Sequence, residues 1–147
     1  MQAISVTDDL ATALFATDLG GLPTAAVTAR VTGEVVAWAR ARGWAARTEA
    51  RVEVPTGQAA ADHLGFVDVI VRRVDRLPDL AIEIDSADKP WSVIKLQHAA
   101  AAGMRAIWVR WGDEKWAGVY DEVDVIQLWL ARRPAHKRRT GQLSIWE

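Results

Sequence analysis

Apolar residues near the start of the chain recur at helical spacing. Leu10, Leu14 and Phe15 fall on one face and predict a helix from Asp8 to Leu19, ended by the Gly20-Gly21 pair. Leu22-Pro23-Thr24 marks the entrance to a longer helix running to about Arg42, with Thr24 as its cap and Gly43 as its terminator. Its stripe is Val27, Val31, Val35 and Trp38.

From Ala45 the period shortens to two. Val52 and Val54 alternate with Arg51 and Glu53, predicting a strand over Ala45 to Pro55; Thr56-Gly57 makes a turn and Ala59 to His63 a short link. Gly65 to Val74 is β-branched and predicts a second strand, followed by a turn over Asp75 to Asp79. Leu80 to Asp85 is short and mostly apolar, which suits the centre of a sheet. A helix over Trp91 to Ala102 follows, with Pro90 near its first turn and Gly103 at its end. Met104 to Trp111 returns as a strand, and Lys115 to Tyr120 is a short one. Val123 to Leu130 fits either a strand (Val123, Val125) or a helix (Val125, Ile126, Trp129, Leu130), with the strand favoured at its start. This order predicts a single α/β domain over 1–147, a mixed sheet flanked by helices with its core at 24–111. The unit from Leu80 to Trp111 is expected to be a right-handed crossover.

Composition supports a folded core and removes several chemistries. Half of the 147 residues are hydrophobic, enough for one buried core. The 18 basic and 19 acidic residues leave a net charge of -1, so no global field attracts a polyanion. Without cysteine there is no disulfide, thiolate zinc site or thiol nucleophile. His63, His98 and His136 are too scattered to suggest a three-histidine site, and the glycine pairs lack phosphate-loop spacing. The start carries no signal-peptide pattern and no run of 18 or more apolar residues occurs. A cytoplasmic protein with no membrane partner is the expectation.

The acids inside apolar strands require an explanation, because burying an unpaired carboxylate is costly. Asp68 interrupts Phe66 to Val71, and Glu83 and Asp85 lie two apart in Ala81 to Asp85, on one face. If the two strands are neighbours, the three carboxylates converge as hard oxygen ligands suited to Mg²⁺ or Mn²⁺. Glu34 is placed near the middle of the first long helix's apolar stripe, either facing a site or in a buried ion pair; Arg30 stands four residues before it. Trp91, Lys95 and His98 share a face of the later helix, from which Lys95 can reach the carboxylates.

Gly65 to Ile70, then Ile82-Glu83-Ile84-Asp85-Ser86, then Ser92 to Leu96, together resemble the core of the PD-(D/E)XK nuclease superfamily, over roughly Glu34 to Trp111. The resemblance implies a restriction-endonuclease-like fold, DNA as substrate and hydrolysis assisted by Mg²⁺ or Mn²⁺. It assigns Glu34, Asp68 and Glu83 to the helix acid, hairpin acid and E-x-K acid. Asp85 departs from the pattern, standing where the lysine belongs. Lys95 fits the variant with the lysine on the following helix, and Lys89 is a second substitute. Asp68, Glu83 and Asp85 would hold the metal, and Lys95 would offset transition-state charge.

Arg72, Arg73 and Arg76, His98, and the basic segment 132–139 with Arg132, Arg133, Lys137, Arg138 and Arg139 are the candidate phosphate contacts. Trp38, Trp91 and Trp108 are expected in the core, while Trp111 and Trp116 are candidates for stacking on a base. A homodimer would supply two sites for duplex cleavage. The altered motif keeps a second function open, an inactive nuclease-like module that binds nucleic acid or protein. A third is a structural protein with salt-bridged acids.

Overall fold

The computed structural model describes residues 4–53, 64–74, 76–86, 89–112 and 119–130. Helix α1 spans Val6–Phe15. The Ser5 hydroxyl accepts a hydrogen bond from the Asp8 amide at 3.0 Å, and Asp8 and Asp9 complement the positive end of the helix. The helix ends before the expected Leu19 because, after the Ala16 amide reaches the Thr12 carbonyl, the Thr17 amide donates to the Leu14 carbonyl at 3.0 Å, a three-residue bond that tightens the last turn. Helix α2 spans Thr24–Ala41 and buries the predicted stripe of Val27, Val31, Val35 and Trp38. Thr24 is its first helical residue and not its cap. Pro23 holds the cap position, with its ring fixing φ at -61° and no side-chain hydrogen bond. Gly43 ends the helix at φ +79°, a left-handed turn that favours glycine.

The remaining elements are β1 (Ala45–Glu53), β2 (Leu64–Arg72), β3 (Leu80–Asp85), α3 (Pro90–Ala101), β4 (Arg105–Gly112) and β5 (Val123–Trp129). They form one five-stranded mixed sheet in chain order. Strands β1, β2 and β3 pair antiparallel, whereas β3, β4 and β5 run parallel. The protein is therefore α/β, a mixed sheet flanked by helices. Helices α1 and α2 cover one face, packing Leu10, Leu14 and Val31 against Ile82, Ile107 and Leu128. Helix α3 covers the other, packing Val93, Leu96 and Ala99 against Ala81, Ala106 and Trp108.

Strand β3 lies in the middle with every residue buried, as its short apolar run predicts. Segment 123–129 is the strand of the two alternatives. Its parallel register with β4, from Ala106↔Val123 to Gly112↔Trp129, overrides the helical spacing. Ile126 and Leu128 join the α1–α2 core while Val123 joins the α3 core, so apolar residues on both faces blur the two-residue period. The Asp124 carboxylate accepts from Thr7 at 2.6 Å and from Arg105 at 2.8 Å, tying α1 to the sheet.

The tryptophans divide differently from the expectation. Trp38 and Trp108 are core residues, but Trp91 is 39% exposed on α3. Trp111 is buried, with its indole N–H donating to Thr28 Oγ1 at 2.8 Å, so it is not available to stack on a base. The turn at Thr56-Gly57, the link at Ala59 to His63, Trp116 and the basic segment with Lys137, Arg138 and Arg139 lie outside the described residues, as does most of the Lys115 to Tyr120 strand. Among the described residues no helix is long and apolar enough to cross a membrane.

Ile82, fully buried in the core between the sheet and helices α1 and α2, is a sensitive probe of this packing. Ile82→Ala is expected to lower unfolding stability by about 2–5 kcal/mol. Urea denaturation should show a lower midpoint with an unchanged slope.

Candidate functional site

Three backbone facts bring the acidic residues together. Alternation along β3 points Glu83 and Asp85 to the same face as Ala81, toward α3. Parallel pairing sets Trp108 of β4 beside Glu83. Pro90 opens α3 just beyond the end of β3, so the first turns of the helix lie over those carboxylates. Ser92 and Lys95, three residues apart, share the face that looks down on them.

Each buried polar group there has partners. Ser92 Oγ lies 3.0 Å from Glu83 Oε1 and 2.8 Å from Asp85 Oδ2. The Trp108 indole N–H donates to Asp85 Oδ2 at 2.8 Å. Lys89 Nζ stands 3.3 Å from Asp85 Oδ1. Lys95 Nζ donates to the Phe66 carbonyl at 2.6 Å and lies 3.1 Å from Glu83 Oε1. Glu83, Asp85, Ser92 and Lys95 are all buried, so this is an interior polar network and not a solvated strand edge.

Asp68 enters by a different route. The β2–β3 ladder runs through Val71↔Leu80, Ile70↔Ala81 and Val69↔Ile82, and then stops. Side chains take over at the next position. The Asp68 amide donates to Glu83 Oε2 at 2.8 Å, and the Ile84 amide donates to Asp68 Oδ2 at 2.7 Å. The two strands thus part at Asp68 and Glu83, and each carboxylate caps the other strand's free amide. The second Asp68 oxygen has no protein hydrogen-bond partner among the described residues.

Burial raises the proton affinity of both carboxyls. For Asp68 desolvation is the main cause, reinforced by Asp85 and opposed by the Ile84 amide, Lys95 and Lys89. For Glu83 desolvation again leads, followed by the charge of Asp68, against Lys95 and Ser92. The local cations therefore leave burial incompletely compensated at this pair.

Asp68 also borders a cleft of about 850 Å³ between α2 and the β1–β2 pair, walled by Thr28, Thr32, Gly33, Arg40, Thr48 and Glu49 among others. Glu34 is on the flank of α2, half-exposed and paired with Arg30 at 3.2 Å, which corrects its expected place in the apolar stripe. The buried stripe runs through Val31 and Val35, and Arg30, one turn earlier, captures the carboxylate. Arg72, Arg73 and Arg76 gather around the β2–β3 turn, at the far end of β3 from Asp85. Arg72 is exposed 4.0 Å from Asp79, and Arg73 stacks on Trp44 at 5.1 Å. His98 lies one turn beyond Lys95 on α3 and is half-buried.

The structure thus links Asp68 to Glu83 across the strand opening, Glu83 to Asp85 through Ser92, and Lys95 to Glu83, and leaves Glu34 and the β2–β3 arginines apart. Among the described residues no three His, Cys, Asp or Glu side chains converge to hold a metal ion. Sequence reasoning missed Ser92 and Trp108 as partners. The signals were the three-residue spacing of Ser92 and Lys95 and the need of any buried indole N–H for an acceptor. No family model, curated protein or solved structure matches the chain.

A raised carboxyl pKa has a definite effect on stability. The contribution of Asp68 is fully present below its ordinary value of 3.8 and is lost as pH rises through the higher folded value. Asp68→Asn keeps an acceptor for the Ile84 amide and does not titrate. Its stability relative to wild type is therefore expected to improve as pH rises from about 4 to 7. Urea midpoints of both proteins across that range measure the trend.

Proposed function

We propose that the domain is a nuclease of the PD-(D/E)XK type, hydrolysing phosphodiester bonds of DNA with Mg²⁺ or Mn²⁺ held by Asp68 and Glu83. The observation that carries this reading is the pair of carboxylates that each accept from a backbone amide of the neighbouring strand where β2 and β3 part, with a buried lysine on Glu83. Asp68 also borders a cleft and retains an oxygen without a protein partner among the described residues.

The donor set fits a small hard cation. Magnesium is usually bound by only one or two carboxylates, with water and substrate phosphate oxygens completing its octahedron, so a converging triad is not required. When bound, the ion supplies Lewis acidity at the phosphoryl group and a water of lowered pKa.

The chain's own residues do the remaining work. Asp68 and Glu83 are oriented by the backbone amides they cap, which limits their motion before substrate arrives. Lys95 holds Glu83 in place and offsets negative charge growing on the phosphoryl oxygens. Asp85 has one oxygen between Trp108 and Ser92 and the other beside Lys89, so it anchors α3 to β3. Lys95 in this scheme takes the role of the lysine that Asp85 replaces.

Cleavage assays on plasmid DNA, single-stranded DNA and RNA test the proposal. Wild type is expected to cut DNA with Mg²⁺ or Mn²⁺ and not with EDTA. Asp68→Asn, with its melting temperature retained, should lose roughly 10²–10³-fold in rate, and Lys95→Ala a similar factor. Folded wild-type protein that cuts none of the three substrates with either ion would overturn the reading in favour of a non-catalytic binding module.

A further inference from the structure

The cleft beside Asp68 has features that the carboxylate network does not require. Its helical wall is built from α2, an 18-residue helix with Gly33 in its interior. Glycine is the poorest helix former after proline, and nothing packs where its Cβ would stand: no atom lies within 4 Å. Close packing therefore does not explain it. At one end of this wall stands Arg40, exposed and without an ion-pair partner among the described residues. Thr28, also in the wall, accepts the Trp111 indole N–H, and its own hydroxyl proton has no acceptor among the described residues. Arg40 and Thr28 thus line the same open volume as Asp68.

The geometry points to this cleft as the seat of a single nucleic-acid strand, with Arg40 and Thr28 holding backbone phosphate and Gly33 leaving the room the strand occupies. The inference rests on the nuclease proposal for its choice of ligand and adds where the strand lies and which residues hold it. A guanidinium matches a phosphate bidentately, and a hydroxyl donates to a non-bridging oxygen. The volume of about 850 Å³ is within the range of ligand clefts. Glu49 borders the same space, on the strand paired with that of Asp68. Two carboxylates repel phosphate unless a divalent cation accompanies it, so binding of the strand should depend on such an ion.

Fluorescence anisotropy with a labelled single-stranded DNA 12-mer in Ca²⁺ tests the assignment independently of cleavage. Wild type is expected to bind in Ca²⁺ and weakly in EDTA. Gly33→Phe, which meets no neighbour at its Cβ, should keep its melting temperature and weaken binding about tenfold or more. Gly33→Ala should melt higher and bind as wild type does. Arg40→Gln should reduce the slope of log affinity against log salt by about one. Because Arg40 is exposed, this variant remains informative should Gly33→Phe not fold. Wild type that fails to bind in Ca²⁺, or variants at both positions that bind as wild type does, would overturn the cleft. Loss of cleavage with binding intact would overturn only the nuclease reading.

Discussion

Where β2 and β3 part, two carboxylates serve as the acceptors of two backbone amides. Asp68 caps the Ile84 amide and Glu83 caps the Asp68 amide, so the sheet opens without leaving buried donors unsatisfied. The rest of the site depends on this exchange. It holds both acids in the interior, fixes their direction by backbone geometry and places Asp68 at the edge of a cleft.

The two helical layers act on this opening differently. On one face α3 brings Lys95 and Ser92 down onto Glu83 and Asp85, enclosing them with Trp108. On the other face α2 buries its valine stripe over the sheet but leaves open space at Gly33 and beside Asp68. The Glu83–Lys95 pair is weak support for stability, since taking both charges out of water offsets much of their attraction. Its value lies in orientation. Three contacts hold Glu83, from the Asp68 amide, the Lys95 ammonium and the Ser92 hydroxyl, and leave it little freedom.

Local patterns in the chain were good guides wherever one face of an element dominates. The stripe of α2 and the left-handed glycines at 43 and 103 follow from periodicity and backbone sterics. The extent of β3 and its central position follow from its apolar run. Patterns failed where a neighbour decides. Thr24 looked like a cap, but Pro23 already supplies the extended residue that starts the helix. Glu34 looked central in its stripe, yet it stands about 60° around the helix from Val31, on the flank, where Arg30 holds it half-exposed. In β5, coverage on both sides of the sheet hid the two-residue period until its register with β4 was seen.

The acids themselves stand out in one dimension, because carboxylates embedded among Val, Ile and Leu are costly enough to demand a partner or a purpose. Their types, the same-face spacing of Glu83 and Asp85, and the reach of Lys95 are properties of the sequence alone. Which strand stands beside which, where the ladder breaks, and that Asp68 meets amides while Asp85 meets an indole and a serine were decided only in three dimensions. Spacing along a chain sets the direction of a side chain relative to its own element. Hydrogen bonds between elements depend on register and layer packing, which no single segment contains.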